Sequence, residues 1–176
     1  MPLLKSNAFV ADDYISVPDD EPLPVGGKFI VSFARLQRDW DEIACDPAVI
    51  GVRVANTEHA EGAMDYLSKV DLIVLSFPAF SDGRSYSLAR ALRLDGYRGE
   101  LRAEGNILPD QLQLMRQVGF DSFVVSDRFP LQVWQAAGQQ MSLAYQRGLF
   151  RKANETEVWS SRHHGFEPWE EQPHAG

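Results

Sequence analysis

Short apolar runs of β type alternate along the chain with segments of helical period. Residues 28–34 (KFIVSFA), 49–55 (VIGVRVA), 71–77 (DLIVLSF), 99–103 and 121–125 read as strands. The third run is apolar throughout, as in a central strand covered on both faces. Between the first two, residues 37–44 have helix character and stop at Asp46-Pro47. Thr57 is placed to cap a helix with the stripe Ala60, Met64 and Leu67, and Glu58 and Glu61 suit its positive end. Residues 85–94 read as a helix, with Leu88, Ala89 and Leu92 inward and Arg90 and Arg93 together on the other side. Gly96 is set to close it. Pro109 and Asp110 open a further helix, with Leu112, Met115 and Val118 inward and Gly119 at its end. Pro130 opens the last, expected to run to about Gly148 with Trp134, Ala137, Met141 and Ala144 or Tyr145 inside.

Five strand–helix alternations predict an α/β fold, with about five parallel strands joined by right-handed crossovers. The first arrangement is an open sheet with helices on both faces. The alternative is a curled, half-barrel-like β/α sheet. That alternative comes from residues 99–104, where Glu100, Arg102 and Glu104 alternate with Leu101 and Ala103, so three charges share one strand face. Either this is an edge strand, or the sheet curls around a polar concave side. The flanks divide the chain further. Residues 1–27, rich in Asp, Pro and Gly, read as an N-terminal arm, with Ala8–Ala11 and Tyr14–Val17 as short extended pieces. The α/β domain takes 28–150. Residues 151–176 lack an apolar period and read as a flexible C-terminal tail, whose Trp159, Phe166 and Trp169 are placed to pin it to a surface.

Composition narrows the functions. The chain has 176 residues, of which 44% are hydrophobic and 24% charged, with a net charge of −8. An acidic chain argues against general nucleic-acid binding. No run reaches transmembrane length, and residues 1–13 lack the apolar core of a signal peptide, so a cytoplasmic protein without a membrane anchor is expected. A single cysteine, Cys45, excludes a disulfide within the chain and a multi-cysteine metal site, and reads as a buried structural thiol. His59 and the pair His163-His164 read as surface residues, not as metal ligands. The sequence contains no P-loop, dinucleotide fingerprint, serine elbow or CxxC, and no haem, iron–sulfur or flavin signature, so neither a metal nor a cofactor is expected.

In parallel α/β proteins ligands gather at the carboxyl ends of the strands. The predicted elements bring Arg35, Arg53, Asn56, Asp82, Arg84, Glu104, Asn106 and Ser126 to that edge. The densest cluster is Asp82-Gly83-Arg84-Ser85-Tyr86-Ser87. Gly83 permits a turn, Ser85 can cap the helix, and Arg84 can clamp an oxyanion at two points. A plainer reading is equally concrete: Asp82 caps the helix and Arg84 pairs with a carboxylate.

The motifs DGRSYSLARALR, GYRGELRAEGNILPDQL and RQVGFDSF resemble those of a bacterial family, domain of unknown function nine-three-four, over about residues 10–147. Ser85 stands where the family has glycine, and Val118 where many members have cysteine, so no thiol chemistry is expected. Members are encoded beside sulfite reductase and phosphoadenylyl-sulfate reductase. The resemblance therefore implies an accessory protein of assimilatory sulfate and sulfite reduction, supporting sulfite reductase. An enzyme acting on a small sulfur oxyanion and a purely structural adaptor are the alternatives. Together with the pattern above, the resemblance selects Asp82, Arg84, Tyr86, Arg90, Arg102, Glu104 and Asn106 as substrate- or partner-binding residues. Asp82, Arg84 and Arg102 are expected to share one surface pocket.

Overall fold

The computed structural model describes residues 1–24, 26–43, 49–56, 64–139, 143–144 and 156–157. The strands are β1 (Leu3–Lys5), β2 (Ala8–Val10), β3 (Ile15–Ser16), β4 (Lys28–Ser32), β5 (Val49–Val54), β6 (Leu72–Phe77), β7 (Glu100–Gly105) and β8 (Ser122–Val124). They form one sheet in the order β2-β1-β8-β7-β6-β5-β4-β3. The five expected strands are therefore present, parallel, and adjacent in chain order. β1 joins β8 antiparallel and pairs with β2 in a hairpin. Ser6 and Asn7 turn that hairpin with φ of 51° and 64°, the paired left-handed conformation of a type I′ turn.

When each strand lies beside its predecessor, right-handed crossovers put every helix on the same side. The core follows that rule. Phe29, Val31, Val52, Ile73, Leu75, Leu101, Ala103 and Phe123 face Leu36 of α1 (Phe33–Arg38), Ala89 and Leu92 of α4 (Arg84–Leu94), Leu112 and Met115 of α5 (Leu112–Gln117) and Trp134 of α6 (Leu131–Ala137). The opposite face carries Ile30, Leu72 and Val74, packed against Tyr14 of the arm, and the charged residues of β7. Helices thus cover one face rather than two, and the sheet is an open, curled half-barrel. β7 is hydrogen-bonded on both sides, so its charge pattern marks the concave face and not an edge.

The arm gives an independent measure of the curl. β2 and β3 occupy opposite edges of the sheet, yet only residues 11–14 separate them. A flat sheet would hold these edges about 34 Å apart at about 4.8 Å per strand. From Val10 to Ile15 the chain reaches at most about 19 Å, at about 3.8 Å per Cα step. The sheet must bend until its edges approach, and residues 11–14 cross the concave mouth as a strap.

The smaller differences have local causes. The first helix begins at Phe33, because the Ser32 hydroxyl accepts the Arg35 N–H at 3.0 Å and caps it there. It is followed by α2 (Trp40–Ile43), while α3 covers Met64–Leu67. Pro109–Gln111 form a 3-10 turn leading into α5. The last helix ends at Ala137 instead of near Gly148; Leu143–Ala144 form β9, which pairs in parallel with β10 (Thr156–Glu157). Cys45, Thr57, His59, Met141, Tyr145, Trp159, His163, His164, Phe166 and Trp169 lie outside the described residues.

At the amino ends of β7 and β8 the motif residues close into a clasp. Helix α4 ends in a Schellman turn: Tyr97 N–H donates to Leu92 O (3.0 Å) and Gly96 N–H to Arg93 O (3.1 Å), with Gly96 at φ +96°. Helix α5 repeats the device, with Phe120 N–H on Met115 O and Gly119 at φ +110°. Arg93 is buried between these two ends, not solvated beside Arg90 as the helical spacing suggested. Its guanidinium donates to Tyr97 O and Gly99 O (both 2.9 Å), to Gly119 O (3.0 and 2.8 Å) and to Asp121 (2.5 Å). Asp121 in turn accepts the Leu101 N–H at 2.9 Å. Much of the family motif in this segment therefore builds the fold.

Candidate functional site

At the carboxyl ends of β5, β6 and β7 the loops lock together into a rim. Asp82, in the loop after β6, is its hub. Its carboxylate accepts from Arg84 Nε (3.0 Å), Arg84 Nη2 (2.6 Å), the Arg84 N–H (3.1 Å) and Asn56 Nδ2 (2.5 Å). Asn56 belongs to the loop after β5, so this one carboxylate ties two loops. The Arg84 hydrogen bonds, with help from Asn56, hold the Asp82 carboxyl at about 2 against its ordinary 3.8. A third loop is braced by Gln111, whose Nε2 donates to Phe80 O at 2.7 Å while its Oε1 accepts the Leu108 N–H.

The helix start differs in detail from both readings of the sequence. Gly83 is the N-cap and no side chain caps α4. Asp82 instead holds the first helical N–H, that of Arg84. Ser85 is buried, and its hydroxyl donates to Ser76 O at 2.7 Å, fastening α4 to the end of β6. Gly105 permits a close crossing: it has φ +121°, and a Cβ there would overlap the Phe77 carbonyl. Asn106 then donates its backbone N–H to Phe77 O at 2.8 Å and is exposed.

Two groups dominate what the rim shows to solvent. Arg84 is 59% exposed at its side chain and Phe80 is 54% exposed. Arg90 is exposed one and a half turns along α4 and makes no ion pair among the described residues. Tyr86 is half-buried, edge-on to Phe77 at 5.2 Å between centroids. Among the described residues its hydroxyl is buried without a hydrogen-bond partner, and burial, with Asp110 nearby, pushes its pKa to about 12.

Arg102 does not join Asp82 and Arg84 in a surface pocket. It is 2% exposed, on the concave face beneath the strap. Nη1 donates to both Asp12 oxygens (2.9 and 2.8 Å), Nη2 to Glu100 (3.0 Å) and Nε to Ser122 Oγ (3.3 Å). The Tyr14 ring lies 5.3 Å from the guanidinium. Ser122 and Lys5 both donate to Glu100, each at 2.6 Å. Burial pushes the Glu100 carboxyl up, but hydrogen bonds from Lys5, Ser122 and Arg102 outweigh it and leave the group below its ordinary value. Glu104, nearer the rim, pairs with Arg53 at 3.2 Å, and Arg53 also donates to Ser16 Oγ at 3.0 Å. Arg35, just past the end of β4, is buried and donates to the Pro18 and Glu21 carbonyls of the arm, which follow the end of β3.

Pattern reasoning brought Asp82, Arg84, Asn56 and Asn106 to the correct edge. It missed Asp12, Lys5 and Tyr14, which come from the arm. Their only sequence signal is an acid and an aromatic in a stretch that reads as polar linker.

Among the described residues no helix is long and apolar enough to cross a membrane. A family model described as "Bacterial protein of unknown function (DUF934)" matches residues 51–155. No curated protein and no solved structure matches.

Proposed function

The chain belongs to the DUF934 family, and from that premise we propose that it is an accessory protein of assimilatory sulfate and sulfite reduction, docking through its rim on sulfite reductase. The gene neighbourhood that the family resemblance implies supplies the pathway, with phosphoadenylyl-sulfate reductase as the other candidate partner. The rim supplies the mode. The observation that carries this reading is the pairing of exposed Phe80 with exposed Arg84 on a loop braced by Asn56, Asp82 and Gln111. An aromatic and an arginine held rigidly at a surface are the residue types that dominate protein–protein affinity. Asp82, Arg84, Arg90 and Asn106 form the docking surface, Tyr86 supports it from below, and Glu104 borders it with Arg53. A cytoplasmic location accords with such a partner.

An enzyme acting on a small sulfur oxyanion needs a cation free to take the ligand. Two of the rim cations are already held, Arg84 by Asp82 and Arg53 by Glu104, which leaves Arg90 as the exposed rim cation with no ion pair among the described residues. A purely structural adaptor would use the same surface with no effect on turnover. Retention of sulfite reductase by the immobilised protein from sulfur-starved cells tests the proposal. The parent should retain the reductase and Phe80→Ala/Arg84→Ala should not. Equal retention by both would rule out the rim.

A further inference from the structure

Beneath the strap lies a constellation the rim does not use. Arg102 sits in the middle of a central strand with only 3% of its side chain exposed, in a neutral group of two cations, Arg102 and Lys5, and two anions, Glu100 and Asp12. Three of the four sit on strands. Asp12 comes from the strap, is 37% exposed, and places both carboxylate oxygens on the single nitrogen Nη1. The strap is lightly held. From Ala8 to Ser16 every residue except Tyr14 is exposed, β3 contributes two paired residues, and the Asp13–Lys28 contact is an exposed 3.3 Å ion pair.

We propose that Arg102 is a binding site for a small oxyanion or carboxylate, and that Asp12 is its built-in occupant, which a ligand displaces as the strap lifts. With Asp12 withdrawn, the remaining charges are two positive and one negative, and the buried guanidinium nitrogen has lost its partner. A buried cation without a partner is costly, so the site favours a replacement anion. Ser122 and Glu100 hold the guanidinium plane in place, while the Tyr14 ring, itself part of the strap, covers it when the strap is down. A tethered carboxylate acts at a local concentration in roughly the millimolar range, so it masks the site against dilute ligand. This inference goes beyond the rim reading and shares no residue with it, so either can fail alone.

Calorimetric titration with sodium sulfite and sodium formate, at fixed ionic strength against chloride, tests it on three proteins: the parent, Asp12→Ala and Asp12→Ala/Arg102→Gln. Removing the occupant should tighten binding of at least one anion by about tenfold or more, since it removes the fraction of time the site is occupied. The double variant should fall back to the parent or below. Asp12→Ala binding both anions no better than the parent would overturn the proposal, as would a double variant that binds as tightly as the single one. Should Asp12→Ala fail to fold, amide exchange in the parent decides: sulfite or formate should speed exchange over residues 11–16, and unchanged exchange with both anions would overturn it.

Discussion

Replacing Arg93 with Met keeps the length and apolar stem of the side chain but removes every donor. The structure shows what is then stranded. Three backbone carbonyls, those of Tyr97, Gly99 and Gly119, lose a guanidinium partner, and Asp121 loses its ion pair while keeping the Leu101 N–H. Each unsatisfied buried acceptor costs about 1–3 kcal/mol, but half-buried Gly99 can recruit water. The expected loss is therefore about 3–5 kcal/mol, the range for breaking a buried charge pair from one side. For a chain of this size that corresponds to a fall in Tm of about 6–20 °C. Arg93→Lys should recover less than half, because an ammonium cannot reach acceptors on both Schellman turns at once. Urea unfolding followed by circular dichroism measures both variants. A loss under about 1 kcal/mol for Arg93→Met would refute the clasp and put Arg93 back on the solvated side of α4.

Gly105→Ala should lose at least about 1–3 kcal/mol, the cost of the strained φ of +121°, with the clash of its Cβ against the Phe77 carbonyl adding to it; thermal melting reads the loss directly. Acid should weaken the fold through Glu100 and Asp82, whose carboxyls are both held below their ordinary values of 4.5 and 3.8. For such groups the stabilisation is present above the ordinary value and is lost as pH falls through the depressed one. Urea midpoints should therefore drop on going below about pH 4.5, and Glu100→Gln should flatten that drop while lowering stability near neutrality.

Strand existence and order were readable because each strand is its own apolar run, and two of the helices that follow, α4 and α5, are closed by a glycine in the left-handed region. Gly96 and Gly119 were placed from sequence for that reason, and both take positive φ. The curl was readable from one alternation, Glu100-Leu101-Arg102-Ala103-Glu104, once an edge position is excluded by pairing on both sides. Two features were not readable. The β1–β2 hairpin consists of three-residue strands around Ser6-Asn7, which lacks the Asn-Gly signature of its turn type. Arg93 lies at the border of the inner face, and helical spacing alone cannot tell that its guanidinium reaches under a turn to carbonyls up to 26 residues away. The candidate site divides in the same way. Asp82, Arg84 and Asn56 meet because they follow consecutive strands, a local rule. Arg102 meets Asp12 across 90 residues, through a strap that local pattern cannot place.

Purified sulfite reductase titrated into the parent, Phe80→Ala and Arg84→Ala tests the docking surface most directly. The clasp and the strap lie away from these side chains, so Phe80→Ala should melt as the parent does, and Arg84→Ala should stay folded while losing the contribution of its bonds to Asp82. Exposed aromatic and arginine anchors of this kind should each weaken association by roughly tenfold or more when truncated. Parent-like binding by both well-folded variants would contradict a rim that docks the reductase.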